Sequence, residues 1–222
     1  MPPSPHVKIC GLTNLADALV ARDAGADLLG FIFYPPSPRA ISLAAAQTIV
    51  ARLRAEPGCP MLVGVFVNES ATHVAAILDQ GQLDLAQLSG EETPNLIGDP
   101  DSPLYGRSYK ALRPTSLTEA EVEAEWYLPP EPLPGRPSLL IDAHHPTLRG
   151  GTGRVADWSL TAHLAATIPG LLLAGGLTPD NVAQAVAQVQ PFGVDVASGV
   201  EAAPGRKDHA RLRAFIRAAK QT

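Results

Sequence analysis

The 222-residue sequence predicts an α/β fold, a single (β/α)8 TIM barrel. Strand-like and helix-like segments alternate almost from end to end, and eight strand-like runs fit a length suited to one large domain. Several of those runs are continuously apolar, as expected for parallel strands covered on both faces. A doubly wound open sheet is the rival. It would usually place a Gly-rich dinucleotide turn after the first strand, and Gly11-Leu12-Thr13 does not have that pattern.

The first strand-like run is His6 to Gly11, followed at Thr13-Asn14-Leu15 by the start of a helical pattern. The next three runs are Asp27 to Phe33, Met61 to Asn68 and Leu83 to Leu88, with helix-like segments between most of them. From about 92 to 137 the pattern weakens, because Pro94, Pro100, Pro103, Pro114, Pro129, Pro130, Pro132, Pro134 and Pro137 interrupt helical periodicity. Irregular connections are expected there around a fifth strand, Ser108 to Leu112, with a loop before the sixth. That sixth run, Ser138 to Asp142, contains Leu139-Leu140-Ile141 and ends on a carboxylate. Leu171 to Ala174 and Gly193 to Ala197 complete the set. Thr178-Pro179 is expected to open the helix after strand seven, as an N-cap followed by proline at the first helical position. The last helix carries Leu212, Phe215, Ile216 and Ala219 as one apolar stripe. Residues 1–222 are thus expected to form one domain.

Bulk properties exclude several classes. A net charge of -5 offers no overall basic footprint for nucleic acid or an anionic membrane. The apolar runs are strand-sized and too short to span a bilayer. Met1-Pro2-Pro3-Ser4-Pro5-His6 lacks the basic-then-apolar order of a secretory signal. Cys10 and Cys59 suggest no disulfide framework, so a reducing cytoplasm is the expected location.

The chemistry is expected at the carboxyl ends of the strands. Cys10 ends the first strand, either as a small buried hydrophobe or as a reactive thiol. Asp142 ends the sixth. Side chains alternate along a strand, so Lys8 shares a face with Cys10, and Leu140 shares one with Asp142. If both faces point inward, a thiol and a carboxyl meet as an acid/base pair of unlike groups. Lys8 either favours the thiolate or serves as a buried ion-pair partner. Gly150-Gly151-Thr152-Gly153, Gly175-Gly176 and Ser198-Gly199 are ordinary tight turns or a phosphate cradle. The position of two of them after consecutive late strands favours the cradle. Arg39, within Pro35-Pro36-Ser37-Pro38-Arg39, is a solvated loop charge or a guanidinium held for a carboxylate. His144 and His145 lack ligand-like neighbours and suggest no metal site. Cys59 precedes strand three at the end opposite the mouth and is expected to be structural.

These segments together resemble the phosphoribosylanthranilate isomerases of tryptophan biosynthesis. The resemblance rests on Lys8-Ile9-Cys10-Gly11-Leu12-Thr13, Gly30-Phe31-Ile32-Phe33 with Ser37-Pro38-Arg39, and Gly64-Val65-Phe66-Val67-Asn68. It continues through Asp142, Gly150-Gly151-Thr152-Gly153, Asp157-Trp158, Ala174-Gly175-Gly176-Leu177 with Asn181, and Asp195 to Glu201. It implies an Amadori rearrangement of N-(5-phosphoribosyl)anthranilate, with Asp142 as general acid and Cys10 as general base. It also implies that Lys8, Arg39 and Asp195 contact substrate, with Arg39 on the anthranilate carboxylate. Gly153, Gly175, Gly176, Ser198 and Gly199 would hold the phosphate. No cofactor or metal is implied; the partner is the small phosphosugar-anthranilate, and the chain would be a monomer or homodimer.

The chain departs from the family at Gln87-Leu88-Ser89-Gly90, where a histidine is common in place of Ser89. The related barrel isomerase of histidine biosynthesis resembles the chain in its chemistry, but carries an aspartate where Cys10 stands and needs a second phosphate site. A non-catalytic phosphosugar-binding barrel is the remaining alternative, although Cys10 and Asp142 are both retained.

Overall fold

The computed structural model describes residues 4–142 and 158–221. His144, His145, Gly150 to Gly153 and Asp157 lie outside the described residues. Eight parallel strands close into a barrel in chain order. They are β1 (His6–Ile9), β2 (Leu28–Ile32), β3 (Met61–Phe66), β4 (Leu85–Leu88), β5 (Ser108–Leu112), β6 (Leu139–Asp142), β7 (Leu171–Ala174) and β8 (Gly193–Val196). β8 closes the ring by pairing with β1, with Lys8 opposite Asp195. The intervening helices are α1 (Leu15–Asp23), α2 (Leu43–Arg54), α3 (Ala71–Gly81), the single-turn α4 (Asn95–Gly98), α5 (Leu117–Tyr127), α6 (Ser159–Ala165), α7 (Val182–Val189) and α8 (His209–Lys220). After β8 come a 3-10 turn, Ser198–Val200, and a short antiparallel hairpin of β9 (Glu201–Ala203) and β10 (Arg206–Lys207).

Strand alternation divides the apolar residues into shells. Leu28, Val63, Leu85, Tyr109, Leu140 and Leu172 form one cluster inside the barrel. Val7, Ile9, Leu29, Phe31, Leu62 and Phe66 belong to a second cluster, which the strands form with the helices around them. A smaller cluster completes the outer layer where Leu139, Ile141 and Leu171 meet Ala120, Ala124 and Leu164. Continuously apolar strands are the result of burial on both faces. The stripe of Leu212, Phe215, Ile216 and Ala219 is buried as expected. Helix starts follow side-chain capping: Asn14, Ser42, Ser70, Ser116 and Asp208 each accept a backbone N–H of the first turn.

Two local expectations need correction. The stretch from 92 to 137 contains a regular eleven-residue helix, α5, where irregular chain was expected. Residues 115 to 128 are free of proline, and Ser116-Leu117-Thr118-Glu119 is a capping-box sequence. The Ser116 hydroxyl accepts from Glu119 N–H at 3.2 Å, and the Glu119 carboxylate accepts from Thr115 N–H at 2.7 Å. The second correction concerns Thr178-Pro179, which lies in a turn, while α7 begins only at Val182. Asn181 Oδ1 accepts from Thr178 N–H at 2.8 Å, and Asn181 Nδ2 donates to Gly176 O at 3.0 Å. That side chain ties the chain leaving β7 into a turn and so delays the helix by three residues.

Candidate active site

A cavity of about 480 Å³ opens at the carboxyl ends of the strands, lined by Cys10, Gln87, Ser89, Arg113, Asp142 and Asp195 among others. A second cavity of about 270 Å³ adjoins it through the shared residues Asp142, Ala174 and Asp195, and is walled by Gly175, Gly176, Ser198 and Gly199. Strand alternation accounts for the pairing of Cys10 with Asp142: both stand on inward-facing positions at the ends of β1 and β6. The structure brings thiol and carboxyl to one site, next to the late glycine turns.

Cys10 is buried, at 5% exposure, and its N–H donates to Val196 O at 2.9 Å across the closing seam. Its sulfur rests against Gly30, where a Cβ would lie 2.8 Å from Sγ. Glycine at that inward position of β2 leaves room for the thiol. Burial pushes the Cys10 thiol above its ordinary pKa; Lys8 and Lys207 pull it down, and Asp195 pushes it up again.

Lys8 lies beneath that sulfur and does not line the cavity. Its fully buried ammonium donates to Asp195 Oδ1 at 2.8 Å and to Gln87 Oε1 at 2.9 Å. The ion pair is present, and Lys8 also lowers the Cys10 pKa, so its contacts fit both expected roles; Asp195, rather than Lys8, lines the cavity. Burial works against the Lys8 ammonium, but Asp195, with Cys10 and Tyr109 behind it, holds its pKa above the usual lysine value. The same glutamine oxygen accepts from Tyr109 Oη at 3.0 Å, and Gln87 Nε2 donates to Ser89 Oγ at 3.1 Å. Ser89 thus ends a polar chain running through Gln87 and Lys8 to Asp195. The loop that carries Ser89 is fixed from outside the barrel. Glu92 accepts from Gly90 N–H at 2.9 Å and pairs with buried Lys110 at 2.5 Å.

Three contributors escaped the sequence reading. Arg113 lines the larger cavity, with Nε 3.4 Å from Asp142 Oδ2. It follows β5 directly, so the strand-end rule that singled out Asp142 applies to it as well. Tyr109 is inward by the same alternation as Leu140. Glu201, inside a quoted segment but without a role, holds Arg39: Nε donates at 2.9 and 3.1 Å and Nη2 at 2.7 Å to its carboxylate. Arg39 does not line the cavity beside Cys10. Its stem crosses Gly11, where a Cβ would come within 2.8 Å of Arg39 Cδ. Gly175 and Gly176 have φ of 96° and 64°, a backbone that other residues adopt only under strain. Gly153 lies outside the described residues. Cys59 is half-buried, packs against the outer core and precedes β3 at the far end.

Among the described residues no group of three or more His, Cys, Asp or Glu side chains is placed to hold a metal ion, and no helix is long and apolar enough to cross a membrane.

The family model for N-(5'-phosphoribosyl)anthranilate (PRA) isomerase matches residues 7–218. A relative named N-(5'-phosphoribosyl)anthranilate isomerase, from Pelobacter propionicus, is 45% identical over 216 residues, covering 97% of this chain and 96% of its own. The crystal structure of phosphoribosyl anthranilate isomerase from Thermotoga maritima is 38% identical and superposes with a TM-score of 0.83 over 98% of this chain and 100% of its own. A phosphoribosyl anthranilate isomerase in complex with reduced 1-(o-carboxyphenylamino)-1-deoxyribulose 5-phosphate is 35% identical, with a TM-score of 0.78 over 98% of this chain and 100% of its own.

Proposed function

The chain belongs to the N-(5'-phosphoribosyl)anthranilate isomerase family, and from that premise we propose how its own residues carry the reaction. The protein is an isomerase of tryptophan biosynthesis. It converts N-(5-phosphoribosyl)anthranilate to 1-(2-carboxyphenylamino)-1-deoxyribulose 5-phosphate by an Amadori rearrangement. The assignment of roles rests on one observation: Cys10 and Asp142 line a common cavity that adjoins the glycine turns after β7 and β8.

Asp142, as general acid, gives its proton to the furanose ring oxygen. The bond from that oxygen to C1′ breaks, and the anilino nitrogen lone pair forms the C1′=N bond of a protonated Schiff base. Cys10, as the thiolate, takes the C2′ proton and becomes the thiol; return of one proton to the Asp142 carboxylate restores both groups. The released electron pair forms C1′=C2′, and the nitrogen recovers its lone pair, giving an enolamine. Tautomerisation moves a proton from the C2′ hydroxyl to C1′ and leaves the ketone. Protons and electrons balance within the substrate and the two side chains, so the steps call for no redox partner or cofactor. Lys8 acts through Asp195 and as a fixed cation below Cys10, favouring the thiolate when the base is called on. Arg39 meets the anthranilate carboxylate, and Gly175, Gly176, Ser198 and Gly199, with Gly153, hold the phosphate by backbone and hydroxyl donors. The whole chain acts as one domain, in the cytoplasm, as a monomer or homodimer, with this small molecule as its partner.

Turnover of freshly generated phosphoribosylanthranilate, followed as loss of substrate fluorescence and coupled to the next enzyme, is the direct assay. A folded sample without turnover overturns the reading. The phosphate assignment has its own test in Gly199→Ala. A Cβ at Gly199 would overlap the Leu177 carbonyl oxygen, and neither is a flexible side-chain end. The turn must shift, and inorganic phosphate titrated into the variant is expected to bind about tenfold more weakly or worse. Unchanged phosphate affinity in the folded variant would move the cradle elsewhere.

A further inference from the structure

We propose that Glu201 is the positioning residue that sets Arg39 for the carboxylate of the substrate. The proposal rests on the reading that Arg39 meets that carboxylate, and it explains how a side chain 162 positions away in sequence makes such a contact specific. The Glu201 side chain is 4% exposed and the Arg39 side chain 21%, so the pair is partly withdrawn from water. Both Glu201 oxygens are engaged in a fork with Nε and Nη2 of Arg39. Among the described residues Nη1 has no acceptor, which leaves one edge of the planar guanidinium to meet a second carboxylate.

Glu201 is itself held from behind. Its Oε1 accepts from Lys207 Nζ at 2.9 Å and from Gly205 N–H at 3.2 Å. Lys207, with a side chain 0% exposed, also donates to Ala197 O at 3.0 Å, immediately before Ser198. Thr13 Oγ1 donates to Gly205 O at 2.5 Å, fastening the β9–β10 hairpin to the loop that follows Cys10. Burial works against the Glu201 carboxylate, but Arg39 and Lys207 keep its pKa below the ordinary glutamate value. Glu201 therefore remains an anion through the neutral range. An unheld arginine would have to surrender rotamer freedom on meeting the substrate; this one has surrendered it on folding.

The test is Glu201→Gln. The amide oxygen can still accept from Lys207 and Gly205, whereas its NH2 group opposes Arg39 Nη2, so the fork is broken and the negative charge that Glu201 shares between Arg39 and Lys207 is removed. Three ligands are titrated: reduced 1-(o-carboxyphenylamino)-1-deoxyribulose 5-phosphate, the same compound without its ring carboxylate, and inorganic phosphate. The carboxylated ligand is expected to lose between about tenfold and a hundredfold in affinity, with the other two unchanged and KM rising more than kcat falls. Arg39→Met is expected to show the same selective loss, and Glu201→Gln added to it no further loss. If Arg39→Met is selective and Glu201→Gln is not, the Glu201 proposal fails and the Arg39 reading stands. If neither is selective, both fail. Equal weakening of all three ligands by Glu201→Gln would reduce Glu201 to structural support and overturn the proposal. Should Glu201→Gln fold poorly, Glu201→Asp keeps a charge beside Lys207 with shorter reach. It is expected to show the same selective loss in smaller measure, and full wild-type affinity there overturns the proposal.

Discussion

Asp142→Asn is expected to bind ligand with wild-type affinity and to lose about 10²–10⁴-fold in kcat, the usual contribution of a positioned general acid. The substitution preserves shape and hydrogen-bonding capacity but removes the transferable proton. Asp142 is half-buried at the end of β6 and bounds both cavities, the junction at which the proposed roles put the sugar ring. No step after ring opening can proceed without that proton, so the loss falls on kcat rather than KM. Steady-state kinetics with a parallel titration of the reduced product analogue separates the two. A variant turning over at close to the wild-type rate would mean that another group protonates the ring oxygen.

Cys10→Ser is expected to fall by a similar factor, about 10²–10⁴-fold, because a serine hydroxyl is a far poorer base-forming group than a thiol. The wild-type pH profile gives a second measurement. The base works unprotonated, so its competent fraction rises with pH until the group is fully ionised. Burial pushes the Cys10 pKa up. Consequently kcat/KM of the free enzyme is expected to climb through neutrality, with its limb above the ordinary thiol range, and Cys10→Ser should abolish that limb. The sulfur is close to Gly30, so the smaller oxygen fits without steric strain, and a folded, inactive variant is the expected outcome. An active Cys10→Ser would return the thiol to a packing role.

Most of the barrel was legible because its signals are local. All eight strand-like runs contain an observed strand, since continuous apolar stretches follow directly from burial on both faces. Cys10 and Asp142 were legible for the same reason: strand ends and strand alternation are read residue by residue. The missed features depend on information at other ranges. The proline census hid α5, although the capping box at Ser116 and Glu119 marked it. Thr178-Pro179 has the composition of a helix start, but Asn181 competes for the same backbone. The alternatives left open for Lys8 and Arg39 turned on partners far along the chain, Asp195 and Glu201, which no local pattern names. Arg113 was legible by the strand-end rule and was passed over.

The hydrogen bond from Cys10 N–H to Val196 O and the ion pair from Lys8 to Asp195 join the first strand to the last. During synthesis these contacts wait for almost the entire polypeptide to emerge, because Lys8 and Asp195 are 187 positions apart. Any nascent chain that stops short of β8 carries its thiol on an unpaired strand edge, without the anion that balances Lys8. On the proposed roles, the surroundings of the base are complete only once β8 has paired with β1. On those roles, catalytic competence requires that the ring has closed.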